Sequence, residues 1–106
     1  MMQLQSIWVP VVALALVVPT VRSASAASPV NGERIAKRWC SSCHAVEAAQ
    51  RSTSTEAPPF SSIARNRNLD GPRIAFYLLN PHPQMPDFGL SRDVASDLAA
   101  YILKQR

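Results

Sequence analysis

Cysteine and histidine are scarce in this 106-residue chain, at two residues each, and glycine occurs only three times. Two cysteines cannot build a multiply disulfide-bonded scaffold. The one bridge open to them, between Cys40 and Cys43, would close a tiny loop and constrain little of the unfolded chain. So few glycines leave no Gly-rich phosphate loop, and no Ser/His/Asp set stands out either. Charge is missing from residues 7–18, "IWVPVVALALVV". That run is shorter than the roughly 20 apolar residues needed to span a bilayer as a helix, and Pro10 and Pro19 further oppose a helix.

Immediately after this run come Arg22 and the small residues "SASAAS", in which Ala24, Ser25 and Ala26 fit an A-x-A cleavage site. The layout predicts a secretory signal peptide over residues 1–26, although no Lys or Arg precedes Ile7. An uncleaved, membrane-held N-terminus is the alternative. Cleavage after Ala26 removes one basic residue, Arg22, and leaves residues 27–106 with ten basic and seven acidic side chains, a net +3. Neither a nucleic-acid partner nor an integral membrane span is expected of that domain. A chain so short rarely buries enough apolar surface for comfortable stability, so a cofactor is expected to complete its core.

Three helical patterns follow. The first is predicted to start at Asn31 as N-cap, with Glu33 in its first turn and Ile35, Ala36 and Trp39 on one face. A second starts at Asp70 with Pro72 in its first turn and must stop before Pro81. The third is capped by Ser91 and places Val94, Leu98, Tyr101 and Ile102 at i, i+4, i+7 and i+8. Residues 50–62 and 81–90, rich in Pro or Ser, read as loops, and no segment alternates as a strand would. The predicted class is all-α.

What is there, against this sparse background, is "CSSCH", residues 40–44. On a helical turn Cys40, Cys43 and His44 share a face and can meet one flat object. C-x-x-C-H is the attachment string of c-type haem, with two thioethers to the ring and the histidine towards iron. A zinc half-site would need two further ligands, of which only His82 remains among Cys and His. A thiol–disulfide centre lacks its usual βαβ setting, and a chance string with a core histidine is the remaining reading.

A second axial ligand would come from elsewhere. Outside the expected leader Met85 is the one methionine, in "NPHPQMPDFG", flanked by Pro81, Pro83 and Pro86, which stiffen the loop. Met85 could instead fill a core gap, and His82 is the alternative ligand, one that would give a lower potential.

The chain from Asn31 to Arg106 resembles a small class I bacterial cytochrome c, monohaem and Met/His ligated. Gly32, eight residues before Cys40, matches the small residue at which the family's first and last helices touch, and Leu98 and Tyr101 match the positions facing it. "APPF", residues 57–60, is similar to the family's Gly-Pro-x-Leu element, which implies that the Pro58 carbonyl accepts a hydrogen bond from His44 Nδ1. Ala57 stands in place of that glycine and Pro59 adds stiffness. Ala36 replaces a frequent aromatic, with Ile35 or Trp39 expected to supply bulk. The resemblance implies about three main helices wrapped around one covalent haem c, with iron ligated by His44 and Met85. Trp39, Phe60, Phe76, Tyr77 and Phe88 are expected as core or haem packing. Arg65, Arg67 and Arg73 are expected at the surface, with haem propionates as the other reading.

The functional expectation is an exported, periplasmic one-electron carrier that is not an enzyme and meets redox protein partners as a monomer. Alternatives are a dedicated cytochrome c subunit of a larger periplasmic oxidoreductase, or a haem sensor or peroxidase-like protein with an open iron site.

Overall fold

The computed structural model describes residues 17–21, 25–51 and 57–106. Most of the expected leader, including Ala24 of its cleavage site, lies outside the described residues, as does part of the 50–62 loop. Among the described residues four helices follow in order: α1 (Pro29–Trp39), α2 (Phe60–Arg65), α3 (Gly71–Leu79) and α4 (Arg92–Leu103). Among the described residues there is no strand, and no helix is long and apolar enough to cross a membrane.

The caps explain most of these boundaries. Asp70 accepts from the Arg73 N–H and Ser91 from the Val94 N–H, as their side chains and positions predict. The first helix begins earlier than the sequence suggests. Ser28 is its N-cap, accepting from Asn31 N–H at 3.2 Å, and Pro29 takes the first turn. Asn31 therefore lies inside the helix, and Glu33, beyond the first turn, pairs with Lys37 at 2.7 Å. The side chain of Asn31 donates instead across to α4, to Asp97 Oδ2 at 2.7 Å. Asp97 Oδ1 takes the Ser28 N–H at 2.6 Å, so one carboxylate ties the start of α1 to the last helix.

The fourth α4 packs on α1, α3 and α2 in turn and is the centre of the core. Gly32 makes the α1–α4 approach possible. A Cβ there would run into the Asp97 carbonyl and stand 2.9 Å from Tyr101 Cβ. The predicted approach of Gly32 to Tyr101 is thus present, and Leu98 lies in the same buried core as Ile35 and Ala36. Ala36 and Ile35 are buried beside Leu98, Ala99 and Ile102, whereas Trp39 is 41% exposed, so Ile35 and not Trp39 supplies core bulk at that level. Burying Leu98 alone contributes roughly 1.5–3 kcal/mol.

Helix α2 falls partly within a stretch that reads as loop. Phe60 is 3% exposed, and Arg106 Nε donates to the Ala64 carbonyl at 3.0 Å, so a six-residue helix too short to stand alone is held by packing and by the chain's last residue.

Candidate functional site

Helix α1 delivers its C-terminus straight into residues 40–44. Cys40 N–H still bonds to the Ala36 carbonyl (2.8 Å), and His44 N–H bonds to the Cys40 carbonyl (2.9 Å), so one further turn carries the motif. Cys40 is buried and Cys43 is exposed. Burial, then the neighbouring Cys43, pushes the Cys40 thiol up to about 11.

The His44 ring is aimed by its partner. Its Nδ1 lies 2.6 Å from the Pro58 carbonyl oxygen, an atom that can only accept. The proton therefore sits on Nδ1, and the Nε2 lone pair is left for a metal. Phe60 stacks obliquely beside the ring, 5.3 Å between centroids, and itself packs edge-on to Tyr101 at 6.3 Å. The backbone behind the ring is tied down as well. Ala45 carbonyl accepts from Phe60 N–H (2.9 Å), and Val46 carbonyl accepts from the buried Tyr101 hydroxyl (2.7 Å). Gln50 bonds to Ser41, His44 and Val46 of the same segment. Burial raises the Tyr101 pKa above its ordinary value.

Across from the motif lies the loop between α3 and α4. Met85 is half-buried, and its N–H closes a turn on the His82 carbonyl at 3.0 Å. Two cavities, of about 220 and 190 Å3, open between motif and loop. Cys40, His44, His82 and Met85 line both. One is rimmed by Trp39 and Phe88, stacked 5.8 Å apart and 9° from parallel. The other is walled by Phe60, Ile63, Ile74, Leu78 and Ile102.

Of the expected site residues, Cys40, His44 and Met85 line both cavities, Cys43 lines the one rimmed by Trp39 and Phe88, and Pro58 lines the other. Phe60 is core, and Tyr77 lines the second cavity while 59% exposed. Phe76 departs from expectation: it is 61% exposed, because Ile74 and Leu78 occupy the inward face of α3. Arg65, Arg67 and Arg73 are exposed, and Arg73 donates to the Asn68 carbonyl at 2.8 Å. Among the described residues no three His, Cys, Asp or Glu side chains gather as a metal site. Two thiols, an imidazole with Nε2 free, a thioether and apolar walls make a donor set that suits a haem.

Residues 27–102 match the family model described as cytochrome C oxidase, cbb3-type, subunit III. The chain belongs to this cytochrome c family. It is also 50% identical over 80 residues to cytochrome c-552 of Bradyrhizobium diazoefficiens, an alignment that covers 76% of this chain and 77% of that protein. No solved structure matches it. As a cytochrome c it is an electron carrier whose cofactor is covalently bound haem c, and its function requires redox partners. Gln50 and Asp97 are the supporting residues that sequence reasoning missed; the partners of Asp97 are 66 and 69 residues away, and those of Gln50, although within nine residues, form no recognisable local motif.

Proposed function

We propose that residues 27–106 form an exported, periplasmic monohaem carrier in which Cys40 and Cys43 anchor the ring and His44 and Met85 take the two axial positions of iron. The observation that carries this reading is the His44–Pro58 hydrogen bond of 2.6 Å, which frees Nε2 on the wall of cavities that Met85 also lines. When bound, haem supplies a reversible one-electron couple between ferrous and ferric iron. The chain's own residues do the rest. Pro58 holds the imidazole in one tautomer, and Ile63, Ile74, Leu78 and Ile102 exclude water from the inner face. The prolines around Met85 reduce the conformational freedom lost in presenting its sulfur. Met85 is preferred to His82 because it is half-buried and His82 is exposed. Two protein ligands leave iron no position for a substrate, which is why the reading is a carrier and not an enzyme.

Export rests on the layout of residues 1–26. The start of the family match at Ala27 and the anchoring of Ser28 on Asp97 support a folded domain that begins just after the expected cleavage point. Met85→Ala tests the ligand assignment: the sulfur-to-iron charge-transfer band should vanish and the reduction potential fall. Persistence of both would remove Met85 from the iron, and rapid carbon monoxide binding to the unmodified ferrous protein would favour an open-site sensor or peroxidase-like protein.

The family's description as an oxidase subunit favours a second reading, a fixed haem subunit of a larger oxidoreductase. A free carrier should associate with its partners at a rate that falls with added salt, whereas a subunit should co-purify in fixed stoichiometry.

A further inference from the structure

One described side chain ties the segment behind the His44 ring together at three points. The half-buried Gln50 carboxamide spends both of its N–H groups on carbonyls, Ser41 at 2.8 Å and His44 at 2.9 Å, and its oxygen accepts the Val46 N–H at 3.0 Å. Val46 is thereby gripped on both sides, its N–H by Gln50 and its carbonyl by the Tyr101 hydroxyl. Only a primary amide offers two donors and an acceptor on one small plane. Glutamate could keep the Val46 contact but would set an oxygen against two carbonyls. Asparagine is one methylene shorter.

We propose that Gln50 is the positioning residue of the haem-attachment segment: by fixing the carbonyls of Ser41 and His44 it keeps the His44 ring seated on Pro58. The inference rests on the ligand assignment proposed above, and it adds that the geometry of the ligand is set from six residues downstream. Gln50 touches neither ring nor iron in this role; it acts through the His44 peptide. Releasing that peptide lets the ring tilt and the Nδ1–H leave its carbonyl more often.

The test uses intact holoprotein and compares Gln50→Met, Gln50→Glu and, as a scaffold control, Asp97→Asn, which weakens the α1–α4 tie far from the motif. Solvent exchange of the His44 Nδ1 proton, followed through its hyperfine-shifted resonance, reports local opening of this one bond. Gln50→Met should speed that exchange at least tenfold and shift the midpoint potential. Asp97→Asn, compared at the same margin below its own Tm, should leave both within twofold and unshifted. Gln50→Glu keeps one contact of three and carries the same comparison if Gln50→Met does not accumulate. Exchange and potential in the Gln50 variants no different from the Asp97→Asn control would overturn the positioning role while leaving the haem ligands in place. A wild-type protein without the optical spectrum of doubly linked haem c would instead sink the ligand assignment beneath it.

Discussion

Around His44 the hydrogen bonds reach far along the chain, whereas around Met85 they stay within a few residues. His44 is held by Pro58, Ala45 by Phe60 and Val46 by Tyr101, the last across 55 positions of sequence. In the other loop, Met85 bonds to His82, Gly89 to the Asp87 side chain and Asn80 back to Phe76. The histidine side of the site is therefore a product of the whole fold. The methionine side is a product of local stiffness, from Pro81, Pro83 and Pro86. Damage to the core should be felt first at His44, and damage to the loop should leave the helices standing.

The largest effect that follows is at Gly32. Alanine there drives a Cβ into the backbone of α4, 2.6 Å from Asp97 C, where no flexible side chain can move aside. The better helix propensity of alanine, worth about 1 kcal/mol, does not offset overpacking of this kind. Gly32→Ala should cost roughly 3 kcal/mol or more, read from the denaturant midpoint. A midpoint equal to wild type would show that α1 and α4 do not meet so closely, and the fold-wide account of the histidine side would fail with it.

Tyr101→Phe is a finer cut. It leaves the Val46 carbonyl without its buried partner and should cost about 1–2 kcal/mol. It also changes the response to pH. The folded state raises the Tyr101 pKa above the ordinary 10.0, burial being the main cause, so the folded chain retains a proton that the unfolded chain releases. Stability from this group is complete below pH 10 and declines as pH rises past it. Unfolding midpoints measured from pH 8 to 11 should fall more steeply for wild type than for Tyr101→Phe. Parallel slopes would mean that the hydroxyl is not buried against Val46.

How much of this was legible depends on how far apart the interacting groups lie in sequence. Asp70 and Ser91 could be read as caps because their acceptors serve N–H groups three residues on. Asn31 looked like such a cap, yet its side chain is drawn to Asp97, 66 residues away, and Ser28 caps in its place. Helix α2 gave no periodic signal in six residues, and Pro59 before it makes no side-chain cap. Its cause is tertiary, with Phe60 wedged between His44 and Tyr101. At the site, Cys40, Cys43 and His44 were legible because they are contiguous. Pro58 was reached only through family resemblance. Gln50 was not reached at all, since a lone glutamine in a polar stretch looks like surface.

The smallest effect separates the two regions most cleanly, because both turn on a glycine. Gly32 is needed for space, but Gly89 is needed for conformation: its φ is +63°, and a Cβ added there would meet nothing within 4 Å. Gly89→Ala should therefore cost only the intrinsic penalty of a left-handed alanine, about 1–2 kcal/mol, part of which the loop can relieve by local adjustment. The helices should be indifferent to it, so the thermal midpoint should drop slightly with no change in helical circular dichroism. On the proposed ligation by Met85, any larger response belongs to the sulfur-to-iron charge-transfer band, since Gly89 ends the loop that carries this residue. A loss of helix content as severe as that of Gly32→Ala would mean that the methionine loop is built into the core after all, and the contrast between the two sides would be false.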